Sequence, residues 1–348
     1  MKTKKIAVGN IFIGGGSPIT VQSMTNTDTR DVKNTVKQIK MLEEAGCEII
    51  RVAVPDIEAA EAIKKIKKSI SIPLVADIHF DYRLAIQSIM NGADKIRINP
   101  GNIGGADRVK SVIAEAKDRN ITIRIGVNSG SLEKNILKRY NGVTPEGMVE
   151  SALNNMKILE AQKFTNTVVS LKTSNVLMTI NSYRLMSQKS DYPLHIGVTE
   201  AGTVKKGTVK SSVGIGCLLA EGIGDTIRVS LTGDPIEEVI TGKEILKALG
   251  LKNEGIEFIS CPTCGRCRIN LVEIAEEAEK RLAHIKTNIK VAIMGCAVNG
   301  PGEAIEADIG LAGGDKEVLL FKKGVILEKI KEENAVDVLV EEIEKMNR

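Results

Sequence analysis

Lys95-Ile-Arg-Ile-Asn-Pro100 and Thr122-Ile-Arg-Ile-Gly-Val-Asn128 are the stretches whose reading decides the fold. In an extended strand, residues two apart share a face. Arg97 and Asn99 therefore face one way and Ile96 and Ile98 the other. Arg124 and Asn128 likewise oppose Ile123, Ile125 and Val127. A strand that is aliphatic on one side and carries Arg and Asn on the other places helices against the first side and an enclosed polar space against the second.

The same texture extends in both directions from these runs. Between residues 19 and 232, short apolar or alternating runs occur at 19–25, 48–54, 74–79, 95–100, 122–128, 167–173, 194–199 and 226–232. Amphipathic stretches such as 32–45, 57–68, 83–90, 108–119, 146–162 and 211–221 separate them. Eight strands alternating with helices form a parallel sheet, and eight is the number that closes a barrel. The expectation is an α/β chain with an N-terminal (β/α)8 TIM-like barrel. An open doubly wound sheet is the alternative, but no Gly-x-Gly-x-x-Gly follows the first run to favour it.

With the apolar faces against helices, the polar ones point inward near the carboxyl ends of the strands, where barrel enzymes build their sites. Ser170 and Lys172 oppose Val169 and Leu171, and Arg228 and Ser230 oppose Ile227, Val229 and Leu231. Asp77 and His79 share a face, and Arg51 punctuates the second run. Five inward cations, Arg51, Arg97, Arg124, Lys172 and Arg228, would be costly without an anionic partner. A phosphate or diphosphate supplies one, and guanidinium forks suit its oxygens. The following loop, Asn99-Pro-Gly-Asn-Ile-Gly-Gly105, can add backbone N–H groups. The alternative is that each Arg pairs with a carboxylate and simply closes the barrel. Glu200, just past the seventh run, is placed for acid–base work or for a salt bridge to one of these cations. His79 and His195 read more readily as structural histidines than as catalysts.

Composition narrows the partners. At 348 residues the chain exceeds one ordinary compact core, and a boundary near residues 250–256 leaves a barrel over 1–250 and a second domain over 256–348. The latter has α+β texture: helices at 271–285 and 336–346, strands at 290–294, 306–311 and 318–322, and an apolar run at 325–327. A net charge of only +4, spread without a basic block, and 3% aromatics with no Trp argue against nucleic acid. No run of 18 apolar residues exists, so no membrane span is expected. The N-terminus begins like a signal peptide, but Asn10 interrupts it and no small-residue cleavage pattern follows, so a cytoplasmic protein is expected. Clustered cysteines in that compartment are metal ligands or redox groups more often than disulfides.

Four of the six cysteines lie in Cys261-Pro-Thr-Cys-Gly-Arg-Cys267 and Gly295-Cys-Ala-Val-Asn-Gly-Pro-Gly-Glu303. Cys-x-x-Cys-x-x-Cys wraps three corners of a [4Fe–4S] cube, with Cys296 as a distant fourth ligand. Alternatively Cys267 is not a ligand, and Cys296 with Glu303 completes the site beside Cys261 and Cys264. Zinc and a redox dithiol are the competing readings. A second Cys-x-x-Cys, which would favour zinc, is missing. Cys47 and Cys217 read as small buried hydrophobes.

These cysteine–glutamate segments resemble the 4-hydroxy-3-methylbut-2-enyl diphosphate synthase family of the methylerythritol phosphate route to isoprenoids. Val21-Gln-Ser-Met-Thr25, Ala76-Asp-Ile-His-Phe80, Arg97-Ile-Asn-Pro-Gly-Asn102, Ile125-Gly-Val-Asn-Ser129, Leu171-Lys-Thr-Ser174 and Gly197-Val-Thr-Glu-Ala-Gly202 carry the resemblance through the barrel. It implies a small C-terminal iron–sulfur domain similar to those of sulfite reductases. It also implies a homodimer whose active site is shared between subunits, and reductive ring opening of 2-C-methyl-D-erythritol 2,4-cyclodiphosphate with two electrons from ferredoxin or flavodoxin. Family ligands of the [4Fe–4S] cluster fall on Cys261, Cys264, Cys296 and Glu303. Substrate-binding residues fall on Arg97, Arg124 and Lys172, with Asn99, Asn128 and Ser230 alongside, then Arg51 and Arg228, and the acid/base falls on Glu200. This chain departs from the family's usual pattern at Cys267 and at Asn270, so Cys267 competes with Glu303 for the fourth iron.

Overall fold

The computed structural model describes residues 2–99, 102–296, 304–315 and 317–347. The chain divides into two compact units, Met1–Lys252 and Asn253–Arg348.

The first unit opens with a hairpin. Strands β1 (Ile6–Val8) and β2 (Ile11–Ile13) pair antiparallel, with Ile6 opposite Ile13. Gly9 turns between them at φ 58°, in the left-handed region, where an added Cβ would lie 3.0 Å from an Asp94 oxygen. Val8 and Ile13 are buried with Ile49 and Val75, near the starts of two barrel strands. The Thr122 hydroxyl donates to the Ala7 carbonyl at 2.8 Å. This apolar segment, leader-like in sequence, closes the amino-terminal end of the barrel.

The barrel strands are β3 (Thr20–Met24), β4 (Ile49–Ala53), β5 (Leu74–Asp77), β6 (Lys95–Ile98), β7 (Thr122–Asn128), β8 (Thr167–Lys172), β9 (His195–Ile196) and β10 (Thr226–Ile227). They form one parallel sheet in the order β8-β7-β6-β5-β4-β3-β10-β9. A parallel bridge between Val169 and Leu194 joins its two end strands and closes the ring. The last two strands are much shorter than the runs at 194–199 and 226–232. At Gly197 an added Cβ would sit 2.3 Å from the Arg228 carbonyl oxygen. The chains approach too closely there for a regular ladder, although the Arg228 amide still donates to Ile196 at 3.0 Å.

Helices α1 (Val32–Glu44), α2 (Ile57–Lys67), α3 (Tyr82–Met90), α4 (Ala106–Asp118), α5 (Lys134–Arg139), α6 (Pro145–Ala161), α7 (Val176–Lys189), α8 (Val204–Ala220) and α9 (Pro235–Ala248) surround the sheet. Several start on caps written into the βα loops. Asp31 accepts from the Asn34 amide, Asp56 from Ala59 and Thr144 from Gly147, the last with Pro145 in the first turn. The outward strand residues Ile50, Ile96, Ile98, Ile123, Ile125 and Leu171 are fully buried with Ile39, Leu42, Ile63, Val112 and Leu218 from the helices. Each such side chain contributes about 1.5–3 kcal/mol by leaving water. The expected two-faced strands are therefore observed, and most of the aliphatic burial lies between strands and helices, with a smaller cluster of Val8, Ile13, Ile49 and Val75 at the lower end.

The second unit is a five-stranded sheet, β11 (Ile256–Ser260), β12 (Ile289–Met294), β13 (Ile309–Gly313), β14 (Glu317–Lys322) and β15 (Val325–Lys331), in sequence order. The first three strands are parallel and the last two antiparallel. Helices α10 (Leu271–Leu282) and α11 (Ala335–Met346) cover one face, with Ile274, Leu282, Leu339 and Ile343 against Val291, Ile293 and Leu311. Strand β13 begins later than the expected 306, because the Ala307 amide turns back to the Ala304 carbonyl at 2.9 Å.

Candidate active site

The polar faces of the barrel strands converge inside the ring. Register places Arg97 beside Arg124, and Asp77 beside Arg97 and Ala53. Arg97, Arg124 and Lys172 are buried, and Arg51 and Arg228 are half-buried. The alternative in which every cation has its own carboxylate does not hold, yet two carboxylates do enter the ring. Asp77 Oδ1 lies 3.5 Å from Arg97, and its Oδ2 lies 3.9 Å from Arg51 and 3.2 Å from His79 Nε2. Burial opposes its ionisation, but Arg51, the His79 bond and Arg97 outweigh burial and hold it well below the usual carboxylate range. Glu238, on α9, accepts from Arg228 at 3.3 Å, from Ser23 at 3.2 Å and from the Leu231 amide at 3.0 Å.

Among the described residues, the remaining cations have no carboxylate. Arg124 is 1% exposed and donates to Gln22 at 3.0 Å, while its Nε has no partner. Burial, then Arg51 and Arg97, keep its affinity for the proton well below the ordinary arginine value. Lys172 Nζ lies 3.3 Å from His195 Nε2. Burial and the Arg228, Arg124 and Arg51 charges hold the Lys172 ammonium well below its ordinary range. His195 is also fully buried, and burial with the Arg124 and Lys172 charges keeps it neutral. For Arg228, burial and Arg51 outweigh Glu238 and bring it down to about 10.

Space for these groups is carved by glycines. A Cβ at position 126 would meet Arg97 Nε at 2.4 Å, and one at 197 would meet Lys172 Nζ at 3.1 Å. Gly126 and Gly197 are inward positions left bare so that long cationic side chains can cross the ring.

One cation was not among the five expected from sequence. Lys95 shares a strand face with Arg97, is fully buried, and has no hydrogen-bond partner at Nζ. Its spacing to Arg97 carried the signal. The second omission, Glu238, carried none, since it is a helix residue brought to Arg228 only by folding. Among the described residues the ring thus holds six basic side chains, Arg51, Lys95, Arg97, Arg124, Lys172 and Arg228, against Asp77 and Glu238.

The other expected residues line the carboxyl ends of the strands. Asn128 ends β7 opposite Lys172, Asn99 is buried just beyond β6, and Ser230 is half-buried beyond β10. Pro100 and Gly101 of the expected phosphate loop lie outside the described residues. Glu200 is exposed beyond β9 and sits at φ 52°, a left-handed conformation rarely adopted by a residue with a side chain.

In the second unit, β11 and β12 run parallel with Ser260 opposite Ile293, so Cys261 and Gly295-Cys296 leave neighbouring strand ends. The Gly295 amide donates to Cys261 Sγ at 3.2 Å, and the Arg268 amide donates to the Gly295 carbonyl at 3.0 Å. Cys264 is exposed, and hydrogen bonds from the Arg266 amide and side chain lower its thiol. Cys267 is turned inward. Its thiol donates to the Ile269 carbonyl at 3.2 Å, packs against the core under α10, and would lie 2.7 Å from a Cβ at position 295. Glu303 lies outside the described residues. Among those described, no three metal-binding side chains converge on one point. Cys47 is buried, and burial pushes its thiol up to about 12, as expected of a structural cysteine. No helix among the described residues is long and apolar enough to cross a membrane.

Comparison with known proteins agrees with both units. Solved dihydropteroate synthases share the barrel fold alone. The Stenotrophomonas maltophilia enzyme matches with TM-score 0.53 at 10% identity over 71% of this chain and 97% of that one. The Yersinia pestis enzyme matches with TM-score 0.50 at 11% identity over 71% of this chain and 97% of that one. Much greater similarity is found to proteins named 4-hydroxy-3-methylbut-2-en-1-yl diphosphate synthase (flavodoxin). That of Ruminiclostridium cellulolyticum is 67% identical over 99% of this chain and 98% of its own. That of Caldanaerobacter subterraneus subsp. tengcongensis is 64% identical over 99% and 97%, and that of Geobacter sulfurreducens 57% identical over 99% and 98%. The GcpE TIM-barrel domain matches residues 3–243 and the GcpE protein C-terminal domain matches residues 257–345; the chain belongs to the GcpE family.

Proposed function

We propose that this protein converts 2-C-methyl-D-erythritol 2,4-cyclodiphosphate to 4-hydroxy-3-methylbut-2-enyl diphosphate, a step of isoprenoid precursor biosynthesis. The reaction takes up two electrons and two protons, opens the ring and releases water. Relatives named for this synthase at 57–67% identity along almost the whole chain support the reading. The observation that carries it here is the charge imbalance inside the barrel. A ring of cations with only two carboxylates is complementary to a diphosphate, and little else would compensate it.

On this reading Arg97, Arg124 and Lys172 hold the phosphate oxygens, with Arg51 and Arg228 as further donors. Asp77 and Glu238 keep three of these guanidiniums, Arg51, Arg97 and Arg228, oriented in the absence of ligand. Asn99, Asn128 and Ser230 add hydrogen bonds near the mouth. Glu200, at the exposed rim, handles the proton that leaves or enters as the carbon–oxygen bond breaks. Lys172 and neutral His195 form a buried pair that can share a proton next to the anion.

Cys261, Cys264 and Cys296 with Glu303 would hold a [4Fe–4S] cluster, which supplies single electrons passed on from flavodoxin when bound. The thiol-rich donor set at two adjacent strand ends fits such a group, and the Gly295 amide already donates to a ligand sulfur. The inward hydrogen bond of Cys267 to Ile269 supports Glu303 over Cys267 as the fourth ligand. The active species is a homodimer in which one subunit's cluster unit serves the other's barrel.

Anaerobic reconstitution with iron and sulfide analysis, followed by ³¹P NMR of the product, tests the reading. About four iron and four sulfide per chain and a linear diphosphate product are expected. Stoichiometric zinc without iron would sink it. A cluster that survives Glu303→Ala unchanged but is lost in Cys267→Ser would reverse the ligand assignment.

A further inference from the structure

Lys95 lies deeper in the barrel than Arg97 of the same strand. It is the first residue of β6 and stands two residues before Arg97 on the same face, so its side chain enters the ring about 6–7 Å nearer the closed end. It is 0% exposed, and among the described residues no protein acceptor reaches its Nζ. Its charged neighbours, in order of influence, are Arg124 from β7, Arg51 from β4 and Asp94 from its own strand's approach. Asp94 is already engaged, 2.6 Å from Lys67 Nζ and 2.7 Å from the Leu74 amide. Asp77 of β5 is held between Arg51 and Arg97. His195 of β9 is engaged at Nε2 by Lys172, 3.3 Å away, and makes no hydrogen bond to Lys95. Lys172 of β8 is itself paired with His195, and Arg228 of β10 with Glu238. Below lie Val8 and Ile13 of the hairpin, buried with Ile49 and Val75, and the Ala7 carbonyl, which accepts from Thr122. A protonated ammonium here would be buried among guanidiniums with nothing to accept its protons, whereas a neutral amine avoids that cost.

We propose that Lys95 is a reserve cation of the pocket, uncharged while the barrel is empty and taking up one proton from solvent when a diphosphate settles on Arg97, Arg124 and Lys172 above it. The inference rests on the diphosphate reading of the same pocket. The anion does not have to touch Lys95. It neutralises the Arg124 and Arg51 fields that disfavour the ammonium, and its own charge then favours protonation. The only bond formed is N–H, and the buffer supplies the proton. Binding and protonation are then reciprocal. Where the empty form is deprotonated and the bound form protonated, affinity falls about tenfold for each unit rise in pH.

The test is isothermal titration of the full-length protein with the cyclodiphosphate at neutral pH, in two buffers of different ionisation enthalpy. Wild type is compared with Lys95→Met, which removes the amine but keeps an unbranched chain of similar volume. Wild type should take up about one proton more than Lys95→Met and bind about tenfold more tightly at neutral pH, the gap narrowing as pH rises. Without ligand, Lys95→Met should unfold no earlier than wild type, since it loses an amine that bonds to nothing. Lys95→Arg, permanently charged, should bind without that proton and unfold earlier. Equal proton uptake by wild type and Lys95→Met, or a Lys95→Met protein that cannot fold, overturns the proposal. A wild type that does not bind the cyclodiphosphate at all overturns the diphosphate reading, and this proposal with it.

Discussion

Asp77→Asn isolates the charge on which the empty barrel depends. The substitution is nearly isosteric, and the amide can still contact His79, so what is lost is one negative charge 3.5 Å from Arg97 and 3.9 Å from Arg51. At an effective dielectric near 20, each contact is worth roughly 4 kcal/mol before desolvation. Burying the carboxylate takes back several, and stripping one partner from a buried pair typically leaves a net loss of about 3–5 kcal/mol. The lower end is expected here, about 3 kcal/mol, since neither contact is a short bidentate one. For a unit of this size that lowers the unfolding midpoint by roughly 6–12 °C. The diagnostic arm is rescue. Inorganic pyrophosphate at about 100 times the wild-type Kd stabilises wild type by about 2.7 kcal/mol, and at the same concentration the variant, with two uncompensated guanidiniums, should bind more tightly and gain more. Thermal unfolding with and without pyrophosphate measures both. The pH dependence has a fixed sign: because Asp77 is held below its unfolded value, its contribution is complete above about pH 4 and fades as the pH falls below that. An Asp77→Asn protein as stable as wild type, or one that gains nothing extra from pyrophosphate, would refute the view that this carboxylate stands in for the ligand.

Arg124→Met should separate stability from function: the side chain is buried without a carboxylate, so the ligand-free midpoint should hold or rise, while calorimetry shows affinity for the cyclodiphosphate reduced by at least about a hundredfold. Glu200→Gly should relieve a left-handed backbone at φ 52°, raising stability by up to about 1 kcal/mol in denaturant titrations while turnover collapses. Cys264→Ser should lose the visible cluster absorption that Cys267→Ser keeps, read by spectroscopy after anaerobic reconstitution. Mixing inactive Arg124→Met with inactive Cys264→Ser chains should restore about a quarter of wild-type activity if subunits share sites, because half the dimers are hybrids with one intact site each; no recovery after subunit exchange would dismiss the shared site.

How much of this was legible in the sequence varies by element. The barrel was, because Ile96 and Ile98 against Arg97 and Asn99 state both faces of a strand within five residues. Lys95 was legible by the same rule, but a lysine at the start of a strand reads as a solvated end, and only the hairpin beneath it makes that end an interior. The hairpin had its own signal, Gly9-Asn10 between Ile-Ala-Val and Ile-Phe-Ile, hidden by strands of three residues. Glu238 was not legible: it is separated from Arg228 by a loop and a helix start, and nothing local marks a helical glutamate as a buried counter-charge. The cysteine spacing was plain, whereas the side-by-side exit of Cys261 and Cys296 depends on β11 and β12 being parallel neighbours, and the crossover helix α10 creates that adjacency.

The hairpin that seals the lower end also sets the order of traffic. With Val8, Ile13, Ile49 and Val75 packed together at one end of the ring, access lies at the carboxyl-terminal mouth. Substrate, product, water and any proton bound for Lys95 all pass through the mouth framed by Asn99, Asn128 and Ser230. Departure must precede arrival, so product competes directly with substrate for an empty vessel. The proton that Lys95 takes up as the ligand settles enters by the same mouth and departs with the ligand.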